Sequence, residues 1–208
     1  MRLYLASTSP ARLATLRSSG IEPVVVPSEV DEEAAVAAAE AEAGGPLSPE
    51  DMVQLLAQAK AEAVLTPEID GLVLGGDSAF VLDGVTYGKP HTPDVAWQRW
   101  QLQRGRTGKL YSGHWLIDHT GGSTRSAIGE VTVADVTFSG DISDQELEAY
   151  ISSGEPLKVA GAFTIDSLGA AFIERIEGDP STVVGVSVPA VRRMANQLGV
   201  FWPQLWNN

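Results

Sequence analysis

Leu3-Tyr4-Leu5-Ala6-Ser7-Thr8-Ser9-Pro10-Ala11-Arg12 changes character twice over a short stretch, from an apolar run to three hydroxyl residues to a proline. Beyond it Leu13 and Leu16 recur at helical spacing until Gly20. Proline has no N–H to lose in a helix's first turn, and its fixed φ suits that position. The stretch therefore reads as a strand, a loop and a helix launched by Pro10.

Working outward, Val24-Val25-Val26 predicts a second buried strand, and an Ala/Glu-rich segment running to Gly44-Gly45 reads as a solvated helix end or mobile loop. Ser48 to Asp51 has the form of a capping box, followed by Met52, Leu55, Leu56, Ala59 and Ala63 at helical spacing. Gly71 to Gly76 predicts a buried strand ending at Asp77-Ser78, with a hairpin from Phe80 to Lys89 around Asp83-Gly84. Thr92-Pro93 starts a helix through Trp97 and Trp100. A long hairpin from Lys109 to Phe138 turns at Gly121-Gly122, and Ser143 to Glu146 is a second capping box. A strand near Ala171 to Ile176 and a helix after Pro189 complete the pattern. Strands alternating with helices, plus an antiparallel excursion, predict one α/β domain over residues 1–208, its mixed sheet flanked by helices.

Composition excludes several classes. The chain has 208 residues, enough to bury about 70% of its unfolded surface and so to support a cleft. Its apolar runs fall far short of the ~20 residues of a bilayer span, so no membrane association is expected. The start shows no basic region followed by an apolar core, and a cytoplasmic location is the expectation. No cysteine means no disulfide, thiolate metal site or thiol nucleophile. A net charge of −13 repels nucleic acid and leaves anionic ligands to local cations and a divalent metal.

Few residues then carry candidate chemistry. Ser7, Ser9 and the backbone N–H groups beside them lie at a helix N-terminus with Arg12 one turn in, a ready anion site; taken alone, the loop reads more simply as Ser9 capping the helix with Arg12 facing water. Asp77 closes an apolar strand behind two glycines that let a ligand approach the backbone. It suits a general base or metal ligand, or a turn aspartate capping the next segment. Glu32 and Lys60 read as a metal-binding carboxylate and a phosphate-binding ammonium, or as surface charges; Lys89, at a hairpin end, reaches a phosphate or is solvated. Gly108-Lys109 lacks the flanking residues of a Walker loop, and Gly185-Val186-Ser187-Val188-Pro189 lacks the last glycine of a nucleophile elbow. His91, His114 and His119 lack zinc-site spacing and read as surface or strand histidines. The five tryptophans read as packing.

One ordered series of motifs adds to this: Leu5-Ala6-Ser7-Thr8-Ser9-Pro10, Val30-Asp31-Glu32, Ala59-Lys60-Ala61, Gly76-Asp77-Ser78, Gly88-Lys89-Pro90 and Ala160-Gly161-Ala162-Phe163, together with Gly154-Glu155-Pro156 and Gly178 to Gly185. From residue 3 to about 198 it resembles the Maf family of nucleoside triphosphate pyrophosphatases, also called septum-formation-inhibitor-like proteins. The resemblance implies a single elongated domain with a curved mixed sheet, a Maf/ITPase-like fold that is often dimeric. It implies metal-dependent (Mg²⁺ or Mn²⁺) cleavage between the α- and β-phosphates of a nucleoside triphosphate, as housecleaning of modified nucleotides. Asp77 falls at the family's proton-acceptor position and Glu32 beside it in metal binding, with Ser7, Ser9, Arg12, Lys60 and Lys89 on the phosphates. The family's two adjacent arginines are here Ala11 and Arg12, and its Asp-Thr is Asp77-Ser78. Asp166 falls at the base-selecting position, where an acidic residue goes with 7-methylguanosine triphosphate; a carboxylate, acceptor-only, suits guanine's N–H donors. The family's historical name keeps open a nucleotide-binding regulator of cell division that does not hydrolyse.

Overall fold

The computed structural model describes residues 1–207. The elements in order are β1 (Leu3–Ala6), α1 (Pro10–Ser18), β2 (Val24–Val25), α2 (Glu32–Ala43), α3 (Pro49–Ala63), β3 (Leu72–Leu82), β4 (Val85–Tyr87), α4 (Pro93–Gln103), β5 (Thr107–Asp118), β6 (Ser126–Phe138), α5 (Asp144–Ser152), β7 (Ile173–Glu177), α6 (Pro180–Val184) and α7 (Val188–Gln197). The strands form one mixed seven-stranded sheet in the order β2-β1-β3-β5-β6-β7, with β4 pairing β3. β1 is parallel to β2 and β3, whereas β4 and β7 are antiparallel to their partners. Side-chain bonds join residues 107 to 137 and 109 to 135, stepping in opposite directions as an antiparallel hairpin requires.

The chain divides into two compact units: residues 1–77, 112–132 and 185–207 form one, and residues 78–111 and 133–184 the other. In the first, β1 explains the all-apolar reading of the opening. Leu3 and Leu5 pack with Leu16 and Met194 on one face, while Tyr4 and Ala6 pack with Ala61 and Ile117 on the other. Successive side chains of a strand point to opposite faces, and helices cover both here. In the second, Trp100, Phe138 and Phe163 meet edge to face, with ring centroids 5.3 and 4.9 Å apart.

Helix starts follow the predicted signals, with Ser9, Ser48, Thr92, Ser143 and Ser187 each accepting from a backbone N–H in the first turn. Ser143 and Glu146 make the full reciprocal box. At Ser48 the Asp51 carboxylate instead takes the Ser48 hydroxyl at 2.6 Å, its side chain being one methylene shorter than glutamate's.

Three expectations are corrected. Val24 and Val25 form not a buried strand but a two-residue edge strand with exposed side chains. The Ala/Glu segment is a complete helix, α2, capped by Asp31 and closed by Gly44 in the left-handed conformation, with none of its residues buried. Helix propensity and caps therefore sustain what burial does not. Finally, β3 does not stop at Asp77 but runs on to Leu82. Among the described residues no helix is long and apolar enough to cross a membrane.

Candidate active site

The Ser7 loop leaves β1 where its pairing with β3 ends, at Ala6 opposite Gly75. Asp77 is thus inside a strand yet beyond the last residue of its parallel neighbour, at the kind of carboxyl end where open α/β sheets bind ligands. The two glycines before it serve packing rather than ligand access. A Cβ on Gly75 would lie 2.0 Å from the Ala57 carbonyl oxygen, and one on Gly76 would lie 3.3 Å from Arg12 Nε. Gly75 lets α3 approach the sheet closely enough to bring Lys60, in its last turn, to Asp77.

Lys60 is the centre of the arrangement. Its Nζ donates to Asp77 Oδ1 at 2.7 Å and pairs with Glu32 Oε1 at the same distance. Lys60 and Asp77 side chains are only 9% and 13% exposed, whereas Glu32, at the start of α2, is half exposed. One carboxylate is therefore buried and the other faces solvent, with one ammonium between them.

Arg12 is buried, not turned to water. Its Nε donates to the Gly185 carbonyl at 2.7 Å and its Nη1 to Ser7 Oγ at 3.1 Å; the same oxygen accepts the Ser9 N–H at 3.2 Å. Ser9 does cap α1, accepting the Arg12 N–H. The buried Ser7 is thus occupied with shaping the loop.

Burial raises the Asp77 carboxyl above its ordinary value against the pull of Lys60 and Arg12, with the charge of Glu32 adding to the rise. Desolvation outweighs a close ion pair because carboxylate and ammonium are both largely removed from water. Burial likewise lowers Arg12, opposed by Asp77 and Glu32. A carboxylate raised in this way is placed for proton transfer nearer neutral pH.

Glu32 and Asp77 also have the chemistry of a magnesium site, since Mg²⁺ is usually held by one or two carboxylates completed by water and substrate phosphates. Among the described residues no group of three or more metal-binding side chains is gathered.

Lys89 and Asp166 belong to the other unit, and both are exposed. The Lys89 segment is held at Gly88, whose carbonyl accepts from the Gly161 N–H at 3.3 Å and from Arg99, itself stacked over Tyr87.

Two supports escape a reading of the sequence. The Gly185 carbonyl has no side-chain signature. His114 is fully buried, with Nε2 accepting the Ser187 N–H at 2.8 Å and Nδ1 facing the Glu130 carbonyl at 3.1 Å. A backbone N–H can only donate, so the ring is held with its proton on Nδ1, and it fixes the segment whose Gly185 carbonyl grips Arg12. A histidine within an apolar strand was the available signal.

Residues 2–198 match the family model described as Maf-like protein. A protein of Leifsonia xyli subsp. xyli named nucleoside triphosphate pyrophosphatase is 67% identical, the alignment covering 100% of this chain and 97% of that one. Proteins of the same name from Corynebacterium diphtheriae and Rhodococcus opacus are 45% and 47% identical, covering 100% and 97% of this chain and 100% and 94% of theirs.

Proposed function

This chain belongs to the Maf-like protein family, and we propose that it hydrolyses nucleoside triphosphates to a nucleoside monophosphate and pyrophosphate with Asp77 as the base. The observation that carries this reading is the buried Asp77 carboxylate on Lys60, which also binds Glu32, with Arg12 buried nearby. Relatives named nucleoside triphosphate pyrophosphatase match along nearly the whole chain, which supports the enzyme class.

Asp77 takes a proton from the attacking water, which adds to the α-phosphorus as the bond to the bridging oxygen breaks and pyrophosphate leaves. The raised basicity of a desolvated carboxylate suits this step. Lys60, Arg12 and Lys89 supply the cations that the chain's net charge of −13 does not, stabilising negative charge on the phosphoryl and leaving group. The Ser7 and Ser9 loop orients the phosphates at the start of α1. Glu32 and Asp77 would hold Mg²⁺ or Mn²⁺, which when bound neutralises and orients phosphate oxygens. Asp166 selects the base, favouring a guanine with N–H donors such as that of 7-methylguanosine triphosphate.

The test is to identify products by ³¹P NMR with Mg²⁺ or Mn²⁺ across canonical and modified triphosphates. Monophosphate and pyrophosphate, lost on chelation and fastest from 7-methylguanosine triphosphate, are the expected outcome. Tight nucleotide binding without turnover would identify a binding protein instead, and equal turnover of UTP would remove the base preference.

A further inference from the structure

Glu155 gathers an unusual number of donors for a residue near the surface. Its Oε1 accepts from Thr164 Oγ1 at 2.5 Å, the Gly169 N–H at 3.0 Å and Tyr150 Oη at 3.1 Å, while Oε2 accepts the Leu168 N–H at 3.1 Å. The Ser167 side chain donates as well. A carboxylate has about four lone-pair sites, so this one is saturated by a single loop and the helix before it. All of these donors are neutral, and each bond to an ionised acceptor is stronger than its neutral counterpart.

The loop closes tightly on this anchor. A Cβ on Gly169 would stand 2.5 Å from Tyr150 Oη and 2.6 Å from the Thr164 carbonyl oxygen, leaving room for no other residue. Upstream, two fully buried side chains of α4 hold the entry to the loop: Trp100 Nε1 donates to the Ala162 carbonyl at 2.8 Å and Gln103 Nε2 to that of Gly161 at 2.6 Å. Between these fixed points Asp166, Ser167 and Leu168 are exposed, Leu168 to 59%. The segment thus shows its tip to solvent while the Leu168 and Gly169 N–H groups are tied to one charge.

We infer that Glu155 is a positioning residue for base selection, holding residues 164–169 in one conformation so that the loop meets the nucleotide base with fixed acceptors. The inference rests on the proposed function, with the loop that carries Asp166 meeting the nucleotide base. Selection by one carboxylate needs that carboxylate held in place, because a misplacement of about 1 Å can cost ~10²-fold. Burial raises the Glu155 carboxyl, but the bonds from Thr164, Gly169, Ser167 and Leu168 prevail and bring it to about 2, so the anchor stays charged throughout the physiological range.

The test compares dissociation constants for 7-methylguanosine triphosphate and UTP in the Asp77→Asn background, where hydrolysis does not enter, with and without Glu155→Gln and, separately, Asp166→Asn. Glutamine keeps the size but loses the charge and part of the accepting capacity. The expected result is a shift of the affinity ratio by about tenfold towards unity, with faster amide exchange at Leu168 and Gly169. Thr164→Val, which removes the 2.5 Å bond and leaves the carboxylate in place, shifts the ratio the same way by less, and it carries the test if Glu155→Gln does not fold. A ratio unmoved by these variants, or already at unity without them, overturns the inference. A ratio moved by Glu155→Gln but not by Asp166→Asn supports Glu155 and sinks the reading of Asp166. Movement by Asp166→Asn alone does the reverse.

Discussion

Asp77 and Glu155 are the same functional group in opposite circumstances. Asp77 is largely buried, accepts a hydrogen bond from the charged Lys60, and is raised by its burial. Glu155 is half-buried and encircled by neutral donors, which hold it down to about 2. The difference teaches that the balance between burial and the bonds aimed at a carboxylate decides whether it is fixed as an anion or left poised to take a proton: at Glu155 several donors outweigh burial, and at Asp77 burial outweighs its cations. The first condition makes an anchor and the second a base.

Removing the poised carboxylate has the largest expected effect. Asp77→Asn should lower kcat by about 10²–10⁴-fold, the usual contribution of a general base. Its thermal midpoint at pH 7 should be no lower than that of the wild type, because an environment that raises the carboxyl is unfavourable to its charge. A variant that loses both activity and stability would break the comparison by making Asp77 structural.

Next comes Lys60→Met, which leaves the buried Asp77 charge without its close partner. Breaking such a pair costs about 3–5 kcal/mol, read from denaturant unfolding. The double variant with Asp77→Asn should recover most of this loss, since it removes the stranded charge. Equal losses in the single and double variants would place the stabilising role in the Lys60 stem instead.

The pH dependence separates the two carboxylates. The kcat/KM should fall about tenfold per unit as pH drops below the raised Asp77 value, because protonation removes the base. In stability the signs oppose. The contribution of Asp77 is fullest below its unfolded value and lost as pH rises through the higher folded one; that of Glu155 is present above its unfolded value and lost as pH falls through about 2. Activity flat down to the ordinary aspartate range would contradict the raised carboxyl.

The smallest effect is that of Ser9→Ala, which removes the cap of α1 and should cost about 1 kcal/mol of stability. A rise in KM for triphosphates beyond what this loss explains would sharpen the assignment of the loop to phosphate binding.

Much of this was legible because it is local. Pro10, Pro93 and Ser143 announced their helices through backbone chemistry acting within one turn, and β1 was legible because helices cover both its faces. The extent of β3 was not. Gly75-Gly76-Asp77 looked like a strand giving way to a loop, whereas the glycines answer Ala57 and Arg12, distant in sequence. Arg12 read either as part of an anion site or as facing water, and its burial is tied to the Gly185 carbonyl, 173 residues away. Val24 and Val25 show that an apolar run does not say which strand lies at an edge. The motif resemblance named Lys60, Glu32 and Asp77 together, but that a single ammonium binds both carboxylates is a fact of packing.

The most direct test of the contrast is an NMR titration of the Asp77 and Glu155 side-chain carboxyl carbons in the same sample of folded protein. Asp77 is expected to titrate first as pH falls, above the usual aspartate value, while Glu155 is still ionised at about pH 4. Titration of Asp77 below the usual value, or of both carboxyls together, would contradict the division into base and anchor.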